Sequence, residues 1–200
     1  SAVYTERPEI EIFMAEWLSL IKSKSGERGI FNRAAAKKQA ARWGRRSADI
    51  DYGCNPCSEV LLRSNQMCNL TEAVVHTNDT YESLVQKITV ATIMGVYQST
   101  LTDFKGVDPE LQRNCEEERL LGVSMTGVMD HPILNNVNPT AIEWLQNLRD
   151  VARTVATEWA GYFGVNVSVA ITCNKPSGTV AQLVNAGTGG LHPRFGEYYI

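Results

Sequence analysis

Glu72-Ala73-Val74-Val75, a polar turn, and then Asp79-Thr80-Tyr81-Glu82-Ser83-Leu84-Val85 form the stretch that decides the fold class. The first run is short, apolar and partly β-branched, as a strand requires. In the second, Asp79 and Glu82 have capping-box spacing, and Tyr81, Leu84, Val85, Ile88, Thr92 and Val96 continue one stripe, which predicts a long helix to about Leu101. The alternation recurs downstream. Residues 109–119 read as a short helix and Leu120-Leu121-Gly122-Val123-Ser124-Met125 as a strand. Asn138-Pro139 sets a cap before a first-turn proline and opens a helix to about Phe163, stopped by Gly164; Val167 to Thr172 then has the branching of a buried strand.

Upstream, Val60-Leu61-Leu62 is a second apolar run, so that strands flank Cys68. Pro8 to Ser23 carries Ile10, Phe13, Met14, Trp17, Leu18 and Ile21 at helical spacing and is ended by Ser25-Gly26, and Ala34 to Trp43 reads as a basic, alanine-rich helix. Strands alternating with long helices predict an α/β architecture with parallel strands, organised as one domain, or part of one, over residues 1–200.

Composition narrows the function. With 44% hydrophobic and 20% charged residues in 200, the chain can build one sizeable core. A net charge of -3 gives no footprint for nucleic acid, and the basic stretch Arg42 to Arg46 reads as a solvated helix end. No apolar run approaches the roughly 20 residues that span a bilayer, and no signal-peptide layout is seen, so a cytoplasmic protein without membrane partners is expected. The five cysteines are odd in number, which fits reduced or cycling thiols better than a disulfide scaffold. The chain starts at Ser1 without an initiator Met and stops inside the strand-like Glu197-Tyr198-Tyr199-Ile200, so it is expected to be a piece of a longer protein.

Chemistry concentrates in Gly53-Cys54-Asn55-Pro56-Cys57-Ser58-Glu59, with Cys68 eleven residues beyond Cys57. In an extended segment Asn55, Cys57 and Glu59 project to one face, aiming an amide, a thiol and a carboxyl at one small molecule. The CxxC formed by Cys54 and Cys57 could equally be half of a zinc site or a redox pair, although His76, His131 and His192 are scattered and supply no second ligand pair. Catalysis, metal binding and plain structure all remain open on spacing alone. Pro176-Ser177-Gly178-Thr179 follows a predicted strand and precedes a predicted helix, so its backbone N–H groups and hydroxyls suit an anion, or merely a helix cap; it lacks the ending of a Walker loop.

Taken in order, Asn55-Pro56-Cys57-Ser58-Glu59, Met67-Cys68-Asn69-Leu70, Lys175-Pro176-Ser177-Gly178-Thr179 and Gly190-Leu191-His192-Pro193-Arg194 resemble the large catalytic subunit of ribonucleotide reductases. Gly26 to Arg33 and Leu121 to Gly127 are similar to two further segments of that family. Cys68-Asn69-Leu70-Thr71-Glu72, and His192-Pro193-Arg194 followed by Tyr198-Tyr199-Ile200, lean toward its adenosylcobalamin-dependent, ribonucleoside-triphosphate subgroup.

The resemblance implies part of a ten-stranded α/β barrel of the ribonucleotide reductase and glycyl radical enzyme type. It implies a thiyl radical on Cys57, a general base in Glu59, a ribose-holding amide in Asn55, and one half of a reducing dithiol in Cys68 whose partner lies upstream of Ser1. Pro176, Ser177, Gly178 and Thr179 would hold substrate phosphates, while Cys115 and Cys173 would be buried and structural. Adenosylcobalamin is the implied cofactor. Implied partners are the ribonucleotide, a thioredoxin-like reductant, and dNTP or ATP effectors bound outside this piece. The rivals are an iron-dependent reductase fed through a tyrosine pair, for which Tyr198-Tyr199 is a candidate, and a non-catalytic metal or redox module on Cys54 and Cys57. The isolated chain is expected to be inactive.

Overall fold

The computed structural model describes residues 7–26, 29–187, 191–194 and 196. Glu27, Arg28, Gly190, Tyr198 and Tyr199, which figure in the motifs above, lie outside the described residues. In chain order come α1 (Ile10–Ser23), α2 (Arg33–Ala41), β1 (Gly53–Cys54), β2 (Leu61–Leu62), β3 (Asn69–Val74), α3 (Tyr81–Ser99), α4 (Pro109–Glu118), β4 (Leu121–Thr126), a 3-10 turn (Val128–Asp130), α5 (Pro139–Phe163) and α6 (Gly178–Leu183).

The centre is a parallel pair. β3 and β4 run side by side from Asn69↔Leu121 to Val74↔Thr126, with α3 and α4 as the crossover between them. The segment predicted as a strand at 167–172 joins this sheet on the far side of β4 through Leu121 N–H to Ala170 O, Val123 N–H to Ile171 O and Cys173 N–H to Val123 O. Successive β4 donors bond to consecutive carbonyls, so the ladder is irregular and only Val123↔Thr172 forms a regular parallel bridge. The α/β reading with parallel strands therefore holds.

α3 and α5 cover the sheet. Leu84, Ile88, Ala91 and Val96 of α3 meet Ala141, Leu148, Ala152 and Ala156 of α5 and Ala73, Leu121, Val123 and Ile171 beneath. Burying each of the larger side chains stabilises the fold by roughly 1.5–3 kcal/mol, and the alanines of α5 let the two helices approach closely. The ends of α5 match the expectation. Asn138 Oδ1 accepts from Ala141 N–H at 2.8 Å, Pro139 occupies the first turn, and Gly164 closes the helix at φ 65°.

The capping box of α3 falls one residue later than its predicted position. Thr80 is the cap, exchanging hydrogen bonds with Ser83, because Asp79 is used elsewhere: it accepts from His76 N–H and pairs with Lys87, both at 2.6 Å. α1 has no buried residue, and it ends on Lys24 in the left-handed region before Ser25-Gly26 is reached.

The 42–46 stretch corrects the solvated-end reading. Arg46 is buried and its Nη2 lies 2.7 Å from Oε2 of the equally buried Glu118, while its Nη1 donates to Leu61 O at 2.9 Å. Gln66 Nε2 donates to the same Glu118 oxygen at 2.7 Å, and Arg63 reaches the other oxygen at 3.0 Å. A charge can be buried here because each carboxylate oxygen is matched by donors. The network fastens β2 and the approach to β3 onto the end of α4.

Candidate active site

The Asn55 to Glu59 segment is not extended. β1 and β2 pair antiparallel, Gly53↔Leu62 and Cys54↔Leu61, and the residues between them form the tip of a hairpin. Ser58 N–H donates to Asn55 O at 2.9 Å, and Ser58 sits at φ 63°, which closes a tight turn over Pro56 and Cys57. The alternating one-face argument for Asn55, Cys57 and Glu59 thus fails on geometry. Pro56 removes an N–H that a longer ladder would need, and the Asn55 side chain makes a local bond instead. Its Oδ1 accepts from Val60 N–H at 3.1 Å, leaving Nδ2 as its free donor among the described residues.

The turn sorts the chemistry by exposure. Cys57 is exposed at the tip, whereas Cys54 is half-buried with its Sγ 3.5 Å from Ser58 Oγ. Glu59 is half-buried, and its Oε2 is fully buried without a hydrogen-bond partner among the described residues. A buried carboxylate oxygen left unbonded is costly in a finished fold, so this oxygen is open to a hydrogen-bond donor brought by a ligand.

Gly122 explains what gathers at the sheet. A Cβ built on it would stand 2.3 Å from Leu70 Cδ2, 3.0 Å from Cys173 Sγ and 3.3 Å from Cys68 Sγ. Only a glycine in β4 leaves room for both sulfurs over one notch. Burial pushes the Cys68 thiol up to about 12, with Cys173 and then Glu59 adding to the shift. Burial likewise raises Cys173 to about 12, and Glu59 again contributes. Both sulfurs are therefore protonated at neutral pH, suited to donating hydrogen rather than to nucleophilic attack.

Cys68, Cys173 and Glu59 thus lie within one another's electrostatic reach. Cys173, expected to be buried and structural, is half-buried and beside Cys68. Cys115 is buried as expected. The sequence signal for Cys173 was its place three residues before Pro176, at the end of a strand predicted to share the sheet. None of the charge interactions that shift Cys68 comes from Cys57, which the turn holds apart in the open.

The Pro176 to Thr179 turn leaves the carboxyl end of the third strand, where ligands of parallel sheets bind. Lys175 anchors it. Its N–H donates to Ser124 Oγ at 2.9 Å and its Nζ pairs with Glu72 Oε2 at 2.9 Å, tying the turn to both β4 and β3. Ser177 adopts φ 53° and is buried, and its hydroxyl neither caps α6 nor finds another partner among the described residues, so the plain capping explanation is not realised. Gly178 and Thr179 are exposed.

Among the described residues no three His, Cys, Asp or Glu side chains gather as a metal site. His131 is buried, its Nδ1 taking the Ile133 and Leu134 N–H groups and its Nε2 facing Asp79 O at 3.0 Å, which makes it a structural donor. Among the described residues no helix is long and apolar enough to cross a membrane.

No protein-family model matches the chain. It is 29% identical over 175 residues to the adenosylcobalamin-dependent ribonucleoside-triphosphate reductase of Lactobacillus acidophilus, covering 74% of this chain and 23% of that protein. It is 28% identical over 158 residues to the probable enzyme of the same name from Dictyostelium discoideum, covering 76% and 20%. A crystal structure of a B-12 dependent (class II) ribonucleotide reductase superposes with a TM-score of 0.53 at 25% identity, over 68% of this chain and 22% of that one. The chain spans about a fifth to a quarter of these relatives' length.

Proposed function

We infer that this chain, a relative of the cobalamin-dependent ribonucleotide reductases, carries the thiol-bearing part of a site that reduces ribonucleotides, of the triphosphate class, to 2′-deoxyribonucleotides. The observation that supports it most is the gathering of two protonated thiols, Cys68 and Cys173, with a carboxylate oxygen of Glu59 that is unpartnered among the described residues, Glu59 itself lying two residues from the exposed Cys57.

In this reading Cys57 is the hydrogen-abstracting sulfur. Adenosylcobalamin, when bound, would supply radical chemistry, and Cys57 is the thiol that would give up its hydrogen atom to it. The exposed turn tip fits delivery from outside the chain, as the buried Cys115 would not. The Cys57 radical removes the 3′-hydrogen of the ribose, and the transfer is reversible because S–H and activated ribose C–H bonds are of similar strength. Glu59 accepts the 3′-hydroxyl proton through its free oxygen, and Asn55 donates from Nδ2 to a ribose hydroxyl. Cys68, held as a thiol, protonates the departing 2′-hydroxyl and shares in delivering two electrons. The dithiol becomes a disulfide and the 2′-oxygen leaves as water.

Ser177, Gly178 and Thr179, following Pro176, align the substrate through its phosphates, an effect of positioning. The β3–β4 sheet would be part of the ten-stranded barrel. The second thiol of the dithiol, the effector sites for dNTP or ATP and the surface for a thioredoxin-like reductant fall to the remaining length seen in the relatives. The 200-residue chain alone is expected to be inactive, and the whole enzyme to act in the cytoplasm.

The test is reduction of a ribonucleoside triphosphate by a protein that carries this chain together with that remaining length. Deoxyribonucleotide formation with adenosylcobalamin, a dithiol and no second protein supports the reading. A strict requirement for a metal-bearing partner subunit sinks the cobalamin assignment.

A further inference from the structure

Beside Cys173 and Glu59, a cavity of about 220 Å³ lies between α2 with the loop that follows it, the β2 segment, α5 and the outer edge of the third strand. Arg45, Arg46, Arg149 and Arg153 line it, against Glu59 as the one carboxylate among the lining residues. Arg46 is already neutralised by Glu118. Arg149 and Arg153 share the single exposed Asp150, and Arg45 meets no carboxylate among the described residues.

Arg45 donates from Nη1 to Ser168 O at 3.0 Å, while its Nε is fully buried without a hydrogen-bond partner among the described residues. Burial depresses the Arg45 pKa, and the neighbouring Arg153 lowers it further, so two guanidinium groups are held within repulsive reach. Among the described residues Arg149 and Arg153 pair with Asp150, at 3.3 and 3.8 Å, through side chains 44%, 43% and 58% exposed, which is a weak and screened arrangement. Trp43, at the same cavity, is exposed and carries the Arg42 guanidinium 4.9 Å over its ring.

Like charges gathered around a half-open cavity, one with an unbonded buried N–H, are the complement of a multiply charged oxyanion, and the guanidinium fork suits phosphate oxygens. The geometry points to a binding site for a phosphate-class oxyanion formed by Arg45, Arg149 and Arg153. Its source is free pyrophosphate or the terminal phosphates of a nucleotide whose base lies against Trp43. None of these arginines belongs to the Pro176 to Thr179 turn, and although the cavity shares Glu59 and Cys173 with the candidate active site, the inference rests on the arginines and not on the reductase reading.

The test is calorimetric titration of the 200-residue chain with pyrophosphate, ATP and adenosine, alongside the variants Arg149→Gln with Arg153→Gln, Arg45→Gln, Ser177→Ala, and Arg113→Gln on the exposed face of α4 as a charge control. Arg149 and Arg153 are half-exposed on a helix, so their replacement leaves the fold intact, and circular dichroism checks this. Saturable pyrophosphate binding that falls at least about tenfold in the double variant and in Arg45→Gln, but not in Arg113→Gln, is the expected result. ATP binding tighter than pyrophosphate by a similar factor marks a nucleotide as the source, and equal affinities mark the free anion. The inference is overturned if no anion binds, if adenosine binds as well as ATP, or if affinity is lost in Ser177→Ala and unchanged in the arginine variants.

Discussion

Replacing Gly122 by alanine tests the packing that brings the two thiols together. Gly122 lies in β4 between Leu70 on one neighbouring strand and Cys173 on the other, and its backbone is not in the left-handed region, so the penalty is purely steric. The new methyl would stand 2.3 Å from Leu70 Cδ2, closer than carbon atoms tolerate, with the sulfurs of Cys173 and Cys68 at 3.0 and 3.3 Å. Leu70 can yield by turning its side chain, but both sulfurs then close the remaining space. Overpacking of this kind costs about 1–3 kcal/mol. Urea unfolding reads the loss directly. Gly161→Ala, at a helical position where a Cβ meets nothing within 4 Å, should instead stabilise by roughly 0.5–1 kcal/mol. The displaced sulfurs should also become more reactive, so alkylation of Cys68 and Cys173, followed by peptide mass spectrometry, should speed up in Gly122→Ala. An unchanged unfolding midpoint together with unchanged alkylation rates would refute the notch.

In the unaltered chain at neutral pH, iodoacetamide should label the exposed Cys57 well before Cys68, Cys173 and Cys115, because burial keeps the first two protonated at about 12 and encloses the third. Glu118→Gln should cost about 3–5 kcal/mol in urea unfolding, since it strands the buried Arg46 charge without its partner. For Asp79, burial alone would raise the carboxyl, but the His76 N–H, Lys87 and Ser83 outweigh it and bring it down to about 2. With the folded value below the ordinary one, this contribution is complete above about pH 4 and lost as pH falls toward 2. Asp79→Asn should therefore flatten the acid limb of a pH-dependent melting series.

Wherever caps and periodicity speak locally, the fold could be read from the chain: the long helices, the Asn138-Pro139 start, the Gly164 stop and the β4 strand. What could not be read depends on partners distant in sequence. Arg46 looked solvated because Glu118, which neutralises it, is 72 residues away. Asp79 looked like a cap because nothing nearby in sequence announces its pairing with Lys87. The third strand was visible from its branching, but its irregular hydrogen bonding was not, since that is set by the strand beside it. In the site, residue identities were legible and their geometry was not. Asn55-Pro56 is a turn dipeptide, and the hairpin tip it helps to form separates Cys57 from the face that an extended segment would give it. Cys173 became part of the site only through Gly122, whose missing side chain is informative once the strands are side by side.

The most direct test compares Cys57→Ser with Cys54→Ser in a protein carrying the whole catalytic length, assayed for deoxyribonucleotide formation with adenosylcobalamin and a dithiol. Complete loss with Cys57→Ser and retained turnover with Cys54→Ser is the outcome this account predicts. Turnover surviving the loss of Cys57, or abolished equally by the loss of Cys54, would contradict it.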